Sequence, residues 1–122
     1  MGLLGLESIR RFVLVDQPGG GPLQGLQAVE EPALAFIVAD PLLFFADYRI
    51  PVRAEDLAPI DLTDPSQGKV LVILWVPDDP TLATANLQGP LVLNPERGLA
   101  RQLVLADGRY ATKHRLFGNK PA

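Results

Sequence analysis

The most regular feature of the chain is a series of short apolar runs separated by proline, glycine and acidic residues. The strongest run follows Lys69, where seven consecutive apolar residues lead to Pro77. This run predicts a strand that is buried on both faces, with Trp75 in the core. Residues 44–52 alternate apolar and polar side chains and contain Pro51, which predicts a strand at a sheet edge. The pattern predicts seven or eight short strands within residues 11–16, 33–40, 44–52, 69–77, 81–87, 90–94, 99–106 and 110–116.

Residues 51–68 differ from the strand pattern. Two acids, Glu55 and Asp56, lie near the start of residues 54–57, which favours one short helical turn there. The chain has 11 glycines and 12 prolines, so we expect many turns and few long helices. Turn signals every 8–12 residues predict an all-β fold, either an antiparallel sandwich or a small antiparallel barrel, with at most one or two helical turns. We find no internal repeat or linker, and we expect a single domain over residues 1–122.

The charge of the chain is unevenly distributed. The net charge is -3, but residues 1–65 hold ten acids and four bases, and residues 66–122 hold four acids and seven bases. An acidic protein is poorly suited to bind nucleic acid directly, whereas an acidic half attracts a basic protein partner. No run approaches the roughly 20 apolar residues of a membrane span, and the first residues lack the basic start of a signal peptide, so we expect none. We therefore expect a cytoplasmic protein that does not enter a membrane.

The residues needed for common catalytic sites are scarce. There is no cysteine, and His114 is the only histidine, which excludes cysteine-ligated and multi-histidine metal sites within one chain. The two serines, Ser8 and Ser66, are not in a nucleophile motif, and no phosphate-binding glycine loop occurs. Neighbouring acids such as Asp78 and Asp79 are typical of solvated turns. We expect no catalytic residue, metal or cofactor, and no enzyme activity.

Two segments have a residue order that is more specific than a strand pattern requires. They are Asp40-Pro-Leu-Leu-Phe-Phe-Ala-Asp-Tyr48 and residues 76–94, which contain Thr84-Ala-Asn-Leu-Gln-Gly-Pro90. Glu31-Pro-Ala-Leu-Ala-Phe36 precedes them and Tyr110-Ala-Thr-Lys-His114 follows. With these four segments in order, the chain resembles the flagellar assembly factor FliW family from about Gly5 to Phe117.

The resemblance implies a small cytoplasmic all-β protein with a barrel-like fold. Such proteins bind flagellin near its C-terminal helical region, and they bind CsrA, a dimeric RNA-binding translational repressor. Released from flagellin, they capture CsrA and relieve repression of flagellin synthesis. Two alternatives stay open. One is a β-barrel with an interior pocket for a small apolar ligand, and the other is a hydrolase that uses Asp or Glu with water.

Aromatic and acidic residues of the segment from Asp40 to Tyr48 are candidate partner contacts. Phe44, Phe45 and Tyr48 are either aromatic contacts for a partner helix or core residues. If the segment is a strand, Phe44 and Phe45 face opposite sides and Tyr48 shares the side of Phe44. Asp40 and Asp47 are either rim charges against CsrA or turn caps.

Two asparagines and two cationic residues complete the candidate partner-binding set. Asn86 suits either a partner's backbone or an internal hydrogen bond, because asparagine has low strand propensity. Asn94 precedes Pro95, which favours a turn position over a partner contact. Arg109 and Lys113 suit an acidic face of flagellin or are ordinary solubilising charges.

Overall fold

The strands of the protein form a small antiparallel barrel. A computed structural model describes residues 10–16, 21–31, 33–106, 108 and 110–117. The strands are β1 (Arg10–Asp16), β2 (Gln24–Ala28), β3 (Ala35–Ala39), β4 (Lys69–Trp75), β5 (Thr84–Ala85), β6 (Leu91–Asn94), β7 (Leu99–Gln102) and β8 (His114–Arg115). One short helix, α1 (Ala54–Leu57), and 3-10 helices at Pro41–Leu43, Ala58–Ile60, Pro65–Gln67 and Pro80–Leu82 complete the described elements.

Six strands close the barrel in the order β3-β2-β1-β7-β6-β4, because β3 also pairs with β4. Every described pairing is antiparallel. Strands β5 and β8 continue the sheet outward from β4. The predicted all-β, barrel-like fold with a short helical turn is therefore confirmed.

Strand β4 holds the closure through both of its edges. Its first three residues, 69–71, pair with β6, and its next three, 72–74, pair with β3. Leu74 and Trp75 also pair with β5. The continuous apolar sequence of β4 suits this position, because alternate side chains enter different cores.

The interior of the barrel is filled by side chains. The cluster comprises Phe12, Leu26, Ala28, Leu34, Val38, Leu71, Leu91, Leu93 and Ala100, with Leu14, Phe36 and Ile73 packed against it. Interior positions of small barrels are normally filled in this way. The packed interior argues against the alternative of a barrel that holds an apolar ligand inside.

Two further clusters cover the outer face of the barrel. One contains Val72 and Leu74 of β4 and is covered by Tyr48, Leu87 and Leu116. The other contains Val92 of β6 and is covered by helix α1 and the 3-10 turn after it. The buried members of the first cluster are Ala39, Tyr48, Val72, Leu74, Ala83, Ala85, Leu87 and Leu116, and those of the second are Leu57, Ile60, Leu62, Val92 and Leu103.

Helix α1 forms where the acids predicted a helical turn. The Arg53 N–H donates to Asp56 Oδ2 at 2.9 Å, which satisfies a backbone group before the first turn. Leu57 and Ile60 are buried, so the turn is held by its apolar side. Asp61 ends the following 3-10 helix in a left-handed conformation with φ of 63°.

Three predictions about strands and core were wrong. Residues 44–52 form no strand, because Asp40 and Pro41 begin a 3-10 helix and the chain then turns. Strand β2 was not predicted, because Gly25 and two glutamines weaken its strand pattern. Trp75 is 61% exposed rather than in the core, because it is the last residue of β4.

Other strands are shorter than the residue ranges predicted for them. Strands β5 and β8 have two residues each, within the predicted ranges 81–87 and 110–116. Residues 17–20 and Asp107, where proline, glycine and an Asp-Gly pair predict turns, lie outside the described residues.

Candidate functional site

The segment of residues 40–50, defined here as the aromatic segment, is fixed by its first two residues. Asp40 caps the 3-10 helix by accepting the Leu42 N–H at 2.9 Å. Pro41 follows at the first helical position, where its missing N–H costs nothing. The Phe44 and Phe45 N–H groups donate to the Pro41 carbonyl at 3.1 and 2.8 Å. This turn places Phe44 and Phe45 both at half-buried positions, rather than on the opposite strand faces that alternation predicted.

Tyr48 ties the aromatic segment to the core. Its side chain is buried, and its hydroxyl donates to the Leu87 carbonyl at 2.7 Å. Its ring meets Tyr110 edge to face, with centroids 4.7 Å apart. Burial raises the pKa of the Tyr48 hydroxyl strongly, and the charge of a nearby Tyr110 phenolate would raise it further. Tyr48 therefore stays a neutral donor.

Residues 110–117 lie against the aromatic segment. The Arg49 N–H donates to the Tyr110 hydroxyl at 3.1 Å, and the ring of Phe45 meets His114 with centroids 6.1 Å apart. His114 Nε2 accepts the Ala111 N–H at 2.8 Å. The sequence did not show that Tyr110 and His114 belong to this site, because they are brought there by the β5–β8 pairing and by hydrogen bonds from the Leu87 and Gln88 N–H groups to the Ala111 carbonyl.

Exposed apolar side chains border this contact. Leu42 and Leu43 are exposed, with Leu43 at 60%. Phe117 is also exposed and meets Phe44 nearly perpendicularly, with centroids 6.1 Å apart. These four residues form the surface that we call the apolar rim. Exposed apolar side chains grouped in this way are typical of protein contact sites.

A groove of about 690 Å³ lies beside the apolar rim. Parts of β1, β2, β4 and the aromatic segment form its walls. Its charged lining residues are Asp16, Asp40, Arg49 and Lys69. Its apolar lining residues include Leu42, Leu43, Ile50 and Val70. A groove of this size accommodates several side chains of a partner.

The structure brings some predicted site residues together and separates others. Asp40, Phe44, Phe45, Asp47 and Tyr48 all belong to the aromatic segment, and Asp40 and Asp47 are exposed. Lys113 is exposed beside His114, which contacts the segment. Arg109 lies outside the described residues.

The two asparagines use their side chains internally. Asn86 Oδ1 accepts the Gly89 N–H at 2.9 Å. Asn94 is buried, and its Nδ2 donates to the Ile60 carbonyl at 2.7 Å. Asn94 thus joins β6 to the turn after α1, and its burial leaves little surface for a partner.

Two acids of the described turns, Asp79 and Asp64, act as caps. Asp79 accepts the Thr81 hydroxyl at 2.6 Å and the Thr81 N–H at 3.0 Å, and these bonds lower its carboxyl pKa. The Ser66 N–H and hydroxyl lower the pKa of Asp64 in the same way. Lowered pKa values on exposed carboxylates do not suit a general acid, which weakens the hydrolase alternative.

The described residues hold no group of three or more His, Cys, Asp or Glu side chains that could bind a metal ion. Within the same residues, no helix has the length and apolar character needed to cross a membrane.

Comparison with known proteins gives a consistent result. The family model described as FliW protein matches residues 1–116. The flagellar assembly factor FliW of Natranaerobius thermophilus is 41% identical over 120 residues, covering 98% of this chain and 80% of that protein. The FliW of Treponema pallidum is 38% identical over 113 residues, covering 93% of this chain and 75% of that protein. A crystal structure of the flagellar assembly factor FliW superposes with a TM-score of 0.82 at 36% identity, covering 98% of this chain and 84% of that one.

The buried Tyr48 hydroxyl makes the stability of the fold sensitive to alkaline pH. Its pKa is raised by folding, so its contribution is complete below the unfolded value near 10 and is lost as pH rises above it. We expect the free energy of unfolding to fall above pH 10 more steeply for the wild type than for Tyr48→Phe. The extra slope is at most about 1.4 kcal/mol per pH unit.

Urea unfolding of both proteins from pH 8 to 11 measures this difference. Parallel pH profiles would contradict a buried, protonated Tyr48. At pH 8 Tyr48→Phe should lose about 1–3 kcal/mol, because the buried Leu87 carbonyl loses its donor.

Proposed function

The chain belongs to the FliW family of flagellar assembly factors, and on that premise we propose that it binds flagellin and, once flagellin is released, binds and antagonises the translational regulator CsrA. Flagellin leaving the cell would thereby raise flagellin synthesis. We place this exchange in the cytoplasm, where a translational regulator meets its messenger RNA. The protein acts in this proposal as a binding partner and not as an enzyme.

The observation that carries the proposal is the exposed apolar rim on a fixed backbone. Leu42, Leu43 and Phe117 are exposed, whereas the segment beneath them is held by the Asp40 cap and the Tyr48 hydroxyl. A surface that is already ordered loses little conformational entropy when a partner binds. The groove beside it supports docking of an amphipathic helix, the form expected of the C-terminal region of flagellin.

The exposed acids of the aromatic segment support CsrA as the second partner. Asp40 and Asp47 of the aromatic segment are exposed, and residues 1–65, which contain them, hold ten acids and four bases. An RNA-binding protein must be basic where it meets phosphates, so its surface is complementary to these acids.

We propose that the two partners share the apolar rim and therefore exclude each other. Exchange requires two complexes of similar free energy, and a modest apolar surface with a polar surround supports this requirement. If the rim is shared, the concentration of free flagellin sets how much protein is available to CsrA.

Calorimetric titration tests the exchange. We expect CsrA to bind the chain at micromolar concentration or below, and we expect saturation with a C-terminal flagellin peptide to weaken or abolish that binding. Binding of flagellin with no binding of CsrA would contradict the switch. If the folded protein binds neither partner, the proposal as a whole is contradicted.

A pair of substitutions tests the location of the shared surface. Leu43→Ser removes an exposed rim side chain, and Val13→Ser removes one that is 50% exposed on β1. We expect Leu43→Ser to weaken both partners by about tenfold or more, as truncation of a central interface residue does, and Val13→Ser to leave both affinities within about twofold.

Melting temperatures of the two variants show that each remains folded. A larger loss of affinity in Val13→Ser than in Leu43→Ser would move the interface away from the aromatic segment.

A further inference from the structure

Strand β3 ends before the strand that it pairs with on its β4 side. Residues 37–38 of β3 pair with β2 on one edge and with β4 on the other, and the last pair with β4 joins Ala39 to Val72. Beyond Ala39 the chain turns into the 3-10 helix that begins at Pro41. Residues 69–71 of β4 therefore have no β3 residue opposite them.

The space beyond the end of β3 is the inner part of the groove beside the apolar rim. We call this space the β3 lane. It is bounded on one side by Gly21, Pro22 and Gln24 and on the other by residues 68–71, all of which line the groove. Two strands that flank a common neighbour lie about 10 Å apart, so the lane has the width of one strand where β3 leaves it.

The main-chain groups of β4 alternate between its two edges, because successive residues of an antiparallel strand form their hydrogen bonds on opposite sides. The Ile73 carbonyl accepts the Asn86 N–H at 2.9 Å, so the main-chain groups of Ile73 lie on the β5 edge. The groups of Val72 and Val70 therefore lie on the opposite edge, where β3 pairs. Val72 meets Ala39 on that edge.

A second hydrogen bond gives the same alternation. The Leu103 N–H donates to the Pro90 carbonyl at 2.8 Å, so Pro90 points away from β4 and the next residue, Leu91, points towards it. Leu91 pairs with Leu71. The groups of Leu71 are thus used on the β6 edge, and those of Val70 point to the other edge.

Val70 has no main-chain partner on this edge among the residues that the structure describes. The register between β3 and β4 would place Pro41 opposite Val70. Pro41 has no N–H, and its carbonyl accepts the N–H groups of Phe44 and Phe45 instead. The N–H and C=O of Val70 therefore open into the β3 lane, which Val70 lines. An unpaired strand edge is a template for pairing with another chain.

We propose that an extended segment of flagellin enters the β3 lane and pairs with Val70 as an added strand along residues 69–71 of β4. The inference rests on the proposed function above, because flagellin is the partner it names. Addition of a peptide to a sheet edge is a recurring mode of recognition, in which main-chain hydrogen bonds provide affinity. In the lane the segment takes the place that β3 would occupy if it continued.

The position of the lane assigns it to the partner whose helix covers the rim. Leu42 and Leu43 belong to the apolar rim and also line the groove. A flagellin helix on the rim therefore brings the residues beyond its end to the lane. The charged lining residues of the groove are two acids and two bases, which favour neither sign of charge, and main-chain pairing with Val70 requires none.

Amide hydrogen exchange of the wild-type chain, resolved by residue with NMR, tests the open edge and its occupant. In the free chain we expect the Val70 amide to exchange at least about tenfold faster than those of Lys69 and Leu71, which are bonded to β6. Saturation with flagellin should slow the Val70 amide by about tenfold or more, because it gains an acceptor. Saturation with CsrA should leave it within about twofold of the free rate.

Two replacements of Val70 separate its N–H from its side chain. Val70→Pro removes the N–H, and Val70→Ala keeps it while truncating the same side chain, which packs against both outer clusters. The N–H of Val70 takes no part in the β4–β6 pairing, so proline there removes no ladder hydrogen bond. We expect Val70→Pro to bind flagellin about tenfold more weakly than Val70→Ala, and the two variants to bind CsrA within about twofold of each other.

Other results overturn the inference. A Val70 amide that exchanges as slowly as that of Leu71 in the free chain would show that the edge is closed. An unchanged Val70 amide with flagellin bound, or equal flagellin affinities of the two variants, would exclude strand addition. Slowing by CsrA alone would assign the lane to CsrA instead.

The exchange measurement needs no variant, so it decides the question if Val70→Pro fails to fold. It also separates the two proposals. If the wild type binds neither partner, the proposed function fails, whereas fast exchange of Val70 in the free chain still shows the open edge.

Discussion

The pairing of β4 along both edges is the constraint on which the rest of the structure depends. Residues 69–71 hold β6 on one edge, and residues 72–74 hold β3 on the other, so this strand joins the two ends of the sheet and closes the barrel. Its side chains serve both sides of the wall, because Leu71 enters the barrel interior and Val72 enters the outer cluster. Val70 packs against both outer clusters and so links the aromatic segment with helix α1.

The candidate partner surface is rigid because it is attached to this strand through few, short connections. Strand β5 pairs with β4, and the Asn86 N–H after it donates to the Ile73 carbonyl at 2.9 Å. Leu87 then accepts the Tyr48 hydroxyl, which fixes the aromatic segment. The backbone that carries the exposed leucines is therefore fixed by buried contacts of neighbouring residues. This arrangement favours binding without rearrangement.

Much of the fold could be predicted from the sequence, and the exceptions have physical causes. The run at β4 and the acids at α1 are local signals that agree with the tertiary structure. Strand β2 has weak local signals and exists because β1 and β3 pair with both of its edges. The aromatic segment was identified by its residues, but its conformation was mistaken, since the cap and proline at its start outweigh its alternating pattern.

The central claim is that the aromatic segment and the chain around it form the partner surface. Hydrogen–deuterium exchange of the chain, alone and saturated with flagellin, tests it most directly. The account predicts slower exchange in residues 40–50 and 110–117 on binding, with unchanged exchange in residues 12–14 and 26–28, the part of the β1–β2 pair away from the groove. Slower exchange confined to β1 and β2, with none in the aromatic segment, would contradict it.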